Sequence, residues 1–72
     1  MLYYDWKSID SARAQRALDA GGRIWPLPIC FGNGMARFTH GLQTPRGTNY
    51  VVSAQVFSAL QVPAGALQGD SR

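Results

Sequence analysis

Two side chains have the chemistry of a nucleophile and its base. They are Cys30 and His40, the single cysteine and the single histidine of the chain. A thiol becomes an effective nucleophile when a base such as imidazole lies within hydrogen-bonding distance. The strand pairing that the sequence predicts places these two residues on opposite faces of a sheet. We therefore expect Cys30 to be inert and the protein not to be an enzyme.

The acidic residues predict neither a metal site nor an acid–base pair. Zinc takes three or four ligands from cysteine, histidine and carboxylate side chains, whereas this chain has one cysteine, one histidine and no glutamate. Its carboxylates are Asp5, Asp10, Asp19 and Asp70, without a matching partner for acid–base catalysis. We expect no metal and no cofactor.

Arginine dominates the charge of the chain. Seven Lys and Arg residues oppose four Asp residues, which gives a net charge of +3 over 72 residues. Between residues 20 and 69 the only charged side chains are Arg23, Arg37 and Arg46. Such a surface favours an anionic partner, either nucleic acid or an acidic protein patch. The alternative is that this charge only keeps a small domain soluble.

The candidate partner-binding residues are of the types most enriched in binding hot spots. They are Tyr3, Tyr4, Trp6, Arg23, Arg37 and Arg46. The three aromatic rings lie on a segment too short to bury them all, although the alternative is that Trp6 and one tyrosine close the end of the core. Arg46 falls at the tip of a predicted turn, where its guanidinium is well placed to contact carboxylate or phosphate.

The first element that positions these residues is a predicted helix that runs to about Ala20. Ser8 or Asp10 can cap it, because both side chains accept hydrogen bonds from the free amides of a first turn. Two glycines then end the helix. Its apolar face consists of Ala14, Ala17 and Leu18. The polar face, with Arg13 and Arg16, is interpreted as ordinary solvated surface.

The first predicted strand covers residues 23–31 and alternates in side-chain character. Its apolar face consists of Trp25, Leu27, Ile29 and Phe31. Pro26 and Pro28 lack the amide hydrogens that would point toward one lateral edge, so the strand is expected at the edge of the sheet. The alternative is a polyproline-like connector.

Asn33 and Gly34 predict the turn of a first β-hairpin, because both central residues of a type I′ turn need a positive φ. A two-residue loop then sets Trp25 opposite Leu42 and Phe31 opposite Ala36. All the apolar partners of the two strands are thereby expected on one face of the sheet.

A second turn is predicted at residues 44–47, with proline at its second position and glycine at its fourth. If Gly47 takes a left-handed conformation, Leu42 faces Tyr50 and His40 faces Val52. This pairing places His40 on the apolar face. There it is either a core histidine with a hydrogen-bond partner or part of a contact surface.

The segments after the third strand and at the N-terminus give the remaining predicted elements. Ser53 caps a second helix that runs through Gln61, and Pro63 stops it. Residues 1–62 are then one domain, and residues 63–72 are a flexible C-terminal tail. An additional short strand is indicated near the N-terminus by the alternation of the first six residues, and it would have to pair beside the third strand.

The predicted fold class is α+β. We expect a small single domain of order α-β-β-β-α, in which a three-stranded antiparallel meander carries both helices on one face and leaves the other face in water. A lone cysteine, the absence of an apolar run of about 20 residues and the absence of a secretory leader predict a cytoplasmic protein without a membrane partner.

The predicted function is that of a small non-enzymatic binding module. It would be a regulatory or inhibitory factor, of the kind that phages and plasmids encode, and would occupy an acidic surface of a partner protein. The alternative is a nucleic-acid-binding module that uses arginines and exposed aromatic rings. A third interpretation is a homodimer formed through the open edge of the sheet.

Overall fold

A mixed sheet of four strands organises the part of the chain that the structure describes. A computed structural model describes residues 6–31 and 37–68. In chain order the elements are β1 (Lys7–Ser8), α1 (Ser11–Asp19), β2 (Arg23–Phe31), β3 (Phe38–Gln43), β4 (Asn49–Ser53) and α2 (Ala54–Ser58). The strand order is β1-β4-β3-β2. The α+β class, the antiparallel meander and the edge position of the proline-containing strand are confirmed.

An additional short strand, β1, is present near the N-terminus, but it begins at Lys7, after the six residues whose alternation predicted it, and residues 1–5 lie outside the described residues. It pairs beside β4, the third strand of the meander, and it runs parallel to β4 with Lys7 opposite Tyr50 and Ser8 opposite Val51. Its position beside the third strand is therefore confirmed. The predicted turn at Asn33 lies outside the described residues.

Helix α1 begins and ends as the sequence predicts. The Asp10 carboxylate accepts a hydrogen bond from the backbone N–H of Arg13 at 2.7 Å, so Asp10 is the N-cap. Ala14 and Leu18 are buried against the sheet. After the helix, Gly21 adopts a φ of +108°, a conformation that glycine takes without steric cost. The chain thereby turns sharply from α1 into β2.

The hairpin of β3 and β4 has the predicted register. Gly47 adopts a φ of +93°, and the Gly47 N–H donates to the Thr44 carbonyl at 2.9 Å. Beyond this turn Leu42 pairs with Tyr50. The proline and glycine of the turn predict this register correctly, because the turn is closed by contacts between near neighbours in sequence.

The predicted register of β2 and β3 is wrong. Trp25 pairs with Gly41 rather than Leu42, and Phe31 pairs with Phe38 rather than Ala36. The register shifts between Pro26 and Phe31, so a regular ladder counted from a two-residue loop does not describe this hairpin. At Trp25 the difference is one residue, which sends a side chain to the other face, whereas at Phe31 it is two residues, which does not.

The shift moves Trp25 to the face opposite the helices. Its indole packs over Gly41, where an added Cβ would lie 2.7 Å from the ring. Trp6 meets the same indole edge to face, with centroids 6.0 Å apart and planes at 87°. Val51 on this face is only 2% exposed. The expectation that this face lies entirely in water is therefore wrong.

The helix side of the sheet contains the main apolar core. Its buried members are Ile9, Ala14, Leu18, Ile24, Leu42, Val52 and Ala66. Half-buried side chains from α2 and the residues after it, including Val56 and Phe57, pack against this core. Both helices thus cover the same face, as predicted.

Helix α2 is shorter than predicted. It is capped as expected, because Ser53 Oγ accepts a hydrogen bond from the Val56 N–H at 3.1 Å. The helix ends at Ser58 rather than Gln61. The next turn is tighter, since the Leu60 N–H donates to the carbonyl of Phe57, three residues back, at 3.1 Å.

Residues 63–68 lie against the outer edge of β2. The Ile24 N–H donates to the Ala66 carbonyl at 3.0 Å, and the Gln68 N–H donates to the Ile24 carbonyl at 2.7 Å. Ala66 is buried. These contacts extend the packed part of the chain to Gln68. They use the backbone of Ile24, two residues before Pro26, which has no amide hydrogen to donate at this edge. The rest of the expected tail lies outside the described residues.

Candidate functional site

The predicted aromatic residues have different surroundings. Trp6 is half-buried and packs against Trp25, so its ring is part of the packing on the face opposite the helices. Tyr3 and Tyr4 lie outside the described residues.

The three predicted arginines are all exposed but do not lie together. Arg46 is at the tip of the β3–β4 turn, and Arg23 begins β2 at the same end of the sheet. Arg37 precedes β3, at the opposite end of that strand. The six residues of β3 separate the two ends by about 20 Å. Arg23 and Arg46 therefore share one end, and Arg37 does not.

Two arginines that the sequence interpretation did not select join Arg46. Helix α1 and the β3–β4 turn form the walls of an open groove of about 760 Å³, which we call the arginine groove. Arg13 and Arg16 line it from α1, Arg46 lines it from the turn, and Tyr50 lines it from β4. The available sequence signal was the spacing of three, which makes Arg13 and Arg16 neighbours on one helix surface.

The local aspartates are engaged in other contacts. Asp10 caps the backbone of α1, and the Asp19 carboxylate accepts a hydrogen bond from Gln15 Nε2 at 3.1 Å. Residues 6–31 and 37–68 together contain six Lys and Arg but only these two acids. Three like charges around one groove repel each other, and a bound anion would relieve that repulsion.

The turn holds Arg46 in a defined place. Thr44 closes the turn through its backbone N–H, which donates to the Thr48 carbonyl at 2.9 Å. The Thr48 N–H in return donates to Thr44 Oγ1 at 3.1 Å. Arg46 is therefore presented by a turn whose backbone is fixed, which reduces the conformational entropy lost when a ligand binds.

Between the arginines the groove has an apolar lining. Ile9, Ala17, Ala20 and Pro45 contribute to its surface. This combination of guanidinium groups, a tyrosine and small apolar side chains suits a ligand that carries both carboxylates and an apolar group.

His40 lies at the other end of the sheet from this groove. Its ring stacks on Phe57 with centroids 3.7 Å apart and planes at 6°, and its Nδ1 is 2.7 Å from Thr39 Oγ1. Burial lowers the pKa of His40 below its usual value. His40 is thus a half-buried, hydrogen-bonded residue that packs β3 against α2, with Thr39 as its partner.

The described ranges hold neither a metal-binding cluster nor a helix that could span a membrane. Residues 6–31 and 37–68 contain no group of three or more His, Cys, Asp or Glu side chains placed to hold a metal ion. Within the same ranges, neither helix has the length and apolar character that a membrane crossing needs.

Comparison with known proteins gives no relative for this chain. No protein-family model matches the sequence, and no curated protein or solved structure matches it.

Proposed function

We propose that this protein is a small binding module whose arginine groove occupies an acidic surface of a partner protein. The observation that carries the proposal is that Arg13, Arg16 and Arg46 line one groove. A guanidinium can donate two parallel hydrogen bonds to one carboxylate, which makes arginine suited to this kind of recognition. The module acts by binding, as a cytoplasmic regulatory or inhibitory factor that blocks the surface it covers.

The lining of the groove favours an acidic protein segment over nucleic acid. Affinity for nucleic acid rises with the number of phosphates that are neutralised. The arginine groove concentrates three cations at one end of a molecule of 30 × 28 × 20 Å, and Arg37 lies at the other end. The apolar side chains between the arginines would gain little from phosphates, but they can cover an apolar side chain of a peptide.

The test uses a fluorescein-labelled peptide in which glutamate and leucine alternate, titrated against the wild type and two variants. Arg46→Glu is expected to weaken binding by about tenfold or more, because it removes one bidentate contact and places a carboxylate among the arginines. Arg37→Glu changes the net charge by the same amount as Arg46→Glu, but at the opposite end of the sheet. It should therefore change the affinity by about twofold or less. Both variants should unfold at nearly the wild-type temperature, because both side chains are exposed.

Two results would overturn the proposal. Equal losses in the two variants would show that only net charge attracts the peptide. Tighter binding of a single-stranded oligonucleotide of matched charge, with a steep decrease in affinity as salt rises, would instead indicate a nucleic-acid-binding module.

A further inference from the structure

Two smaller cavities continue the arginine groove around the end of the sheet. A cavity of about 330 Å³ shares Thr44 and Pro45 with the groove and extends to Gly21, Gly22 and Arg23. A second cavity of about 240 Å³ shares those last three residues and extends to residues 64–66. The three concavities therefore adjoin one another around this end of the sheet, and we call their succession the path.

Arg23 lies in the middle of this path. It is exposed at the start of β2 and lines both of the smaller cavities. Arg23 is thus a fourth guanidinium along the same path, after Arg13, Arg16 and Arg46 in the groove.

The floor of the path is backbone that is fixed by close contacts. The Gly22 N–H donates to the Ala17 carbonyl at 2.8 Å. A Cβ on Gly22 would lie 2.7 Å from the carbonyl oxygens of both Ala17 and Gln43. Gly21 beside it has nothing within 4 Å of the position that a Cβ would take. The missing side chain of Gly21 thus leaves the path open, and that of Gly22 lets the connection from α1 to β2 lie against β3.

We propose that the bound partner segment is an extended acidic chain that crosses Gly21 and Gly22 and places a second acidic site on Arg23. The inference rests on the proposed function and adds the binding mode to it. Charge complementarity selects this occupant, because arginines line both the groove and the adjoining cavities. An extended chain rises about 3.3 Å per residue, so about nine residues span the longest dimension of the molecule, 30 Å.

The test compares two labelled peptides. The short one, of about four residues, has one pair of glutamates beside a leucine and can fill the arginine groove. The long one, of about nine residues, adds a second glutamate pair at its far end. For the wild type we expect the long peptide to bind about tenfold more tightly, since its second site binds without a further loss of translational freedom.

Arg23→Gln should reduce the affinity for the long peptide to that for the short peptide and change the affinity for the short peptide by about twofold or less. Arg23→Lys should fall between wild type and Arg23→Gln, because lysine retains the charge and loses the bidentate geometry. Arg37→Gln, the matched control at the opposite end, should preserve the tenfold ratio. Thermal unfolding of each variant checks that the fold is unchanged.

The outcomes separate the inference from the proposed function. If the short peptide binds and depends on Arg46, but Arg23→Gln preserves the tenfold ratio, the continuation across Gly21 and Gly22 is overturned and the groove stands. If neither peptide binds the wild type, both proposals are overturned. A drop in the ratio with Arg23→Gln alone supports the extended binding mode.

Discussion

The two ends of the sheet are stabilised by different kinds of contact. At the turn end, which comprises Gly21, Gly22 and the β3–β4 turn, backbone groups contact backbone groups. At the α2 end, where β3 begins and α2 lies, the Ala54 N–H donates to the Arg37 carbonyl at 2.8 Å, and side chains add a stack of His40 on Phe57. Both ladders of β3 shift register toward the α2 end.

Arg37 is exposed at the α2 end as well, so exposure alone does not distinguish the two ends, and the proposal of recognition at the turn end rests on its backbone support. Where backbone contacts fix the geometry, side chains such as Arg13 and Arg46 are not needed for packing and remain exposed. Where side chains stack to cover an irregular region, they are committed to the fold. Preorganised backbone with exposed guanidinium groups is the arrangement that loses least entropy on binding.

Gly22→Ala is expected to have the largest effect on the turn end, about 3 kcal/mol of unfolding free energy. Both obstacles to the new Cβ are backbone carbonyl oxygens at 2.7 Å, so α1 must separate from β3 to admit it. Chemical denaturation measures this loss. The matched control is Gly21→Ala, which has open space around its Cβ and should lose about 1 kcal/mol because of its positive φ. A smaller loss at Gly22 than at Gly21 would contradict this account.

Phe57→Ala should produce the largest effect at the α2 end, about 2 kcal/mol. The side chain is half-buried, so the loss should be below the ~3–5 kcal/mol typical of a fully buried phenylalanine. Phe57→Leu, which keeps most of the apolar volume, should lose less. Peptide affinity at the arginine groove should stay at the wild-type value in both variants, measured well below their unfolding temperatures. A parallel loss of affinity would show that the two ends are coupled.

The two hairpins show how much of the fold can be predicted from sequence. The β3–β4 register follows from local chemistry, because Pro45 and Gly47 lie in a turn that is closed by hydrogen bonds among Thr44, Gly47 and Thr48. In the β2–β3 ladder the register shifts between Pro26 and Phe31, and the observed pairing accommodates Trp25. Its indole needs the space over Gly41, and that fit is a contact between residues far apart in sequence. A register that is counted from the turn residues alone does not take this long-range contact into account.

For the candidate site too, the local features could be predicted from the sequence and the long-range contacts could not. Arg46 could be selected because its turn is local and leaves it at the tip. The partnership of Arg46 with Arg13 and Arg16 depends on where α1 lies along the sheet. The apolar face of α1 predicts which side is buried, but it does not fix the position of the helix against a particular turn.

Thr44→Ala tests whether the turn itself positions Arg46, and its expected effect is about 1 kcal/mol. The change removes the Oγ1 atom that accepts from the Thr48 N–H, which is an ordinary hydrogen-bond contribution. Peptide affinity should fall by about threefold as Arg46 becomes less restricted. Thr44→Ser keeps the hydroxyl and should retain both stability and affinity. Equal affinities of the alanine and serine variants would show that the turn does not preorganise the groove.

The smallest expected effect is a pH dependence of the unfolding temperature, which we attribute to His40 at the α2 end. Burial lowers its pKa in the folded chain below the usual 6.5, so the unfolded chain binds the proton more readily. The contribution of His40 to the free energy of unfolding is therefore fully present above pH 6.5, where the imidazole is neutral, and it decreases as the pH falls through that value. His40→Phe preserves a planar ring on Phe57 without a titrating group. Its unfolding temperature should decrease less than that of the wild type between about pH 7.5 and about pH 5. Equal decreases, or a folded-state pKa at or above 6.5 measured by NMR, would show that the stack at the α2 end accepts the charged imidazole without cost.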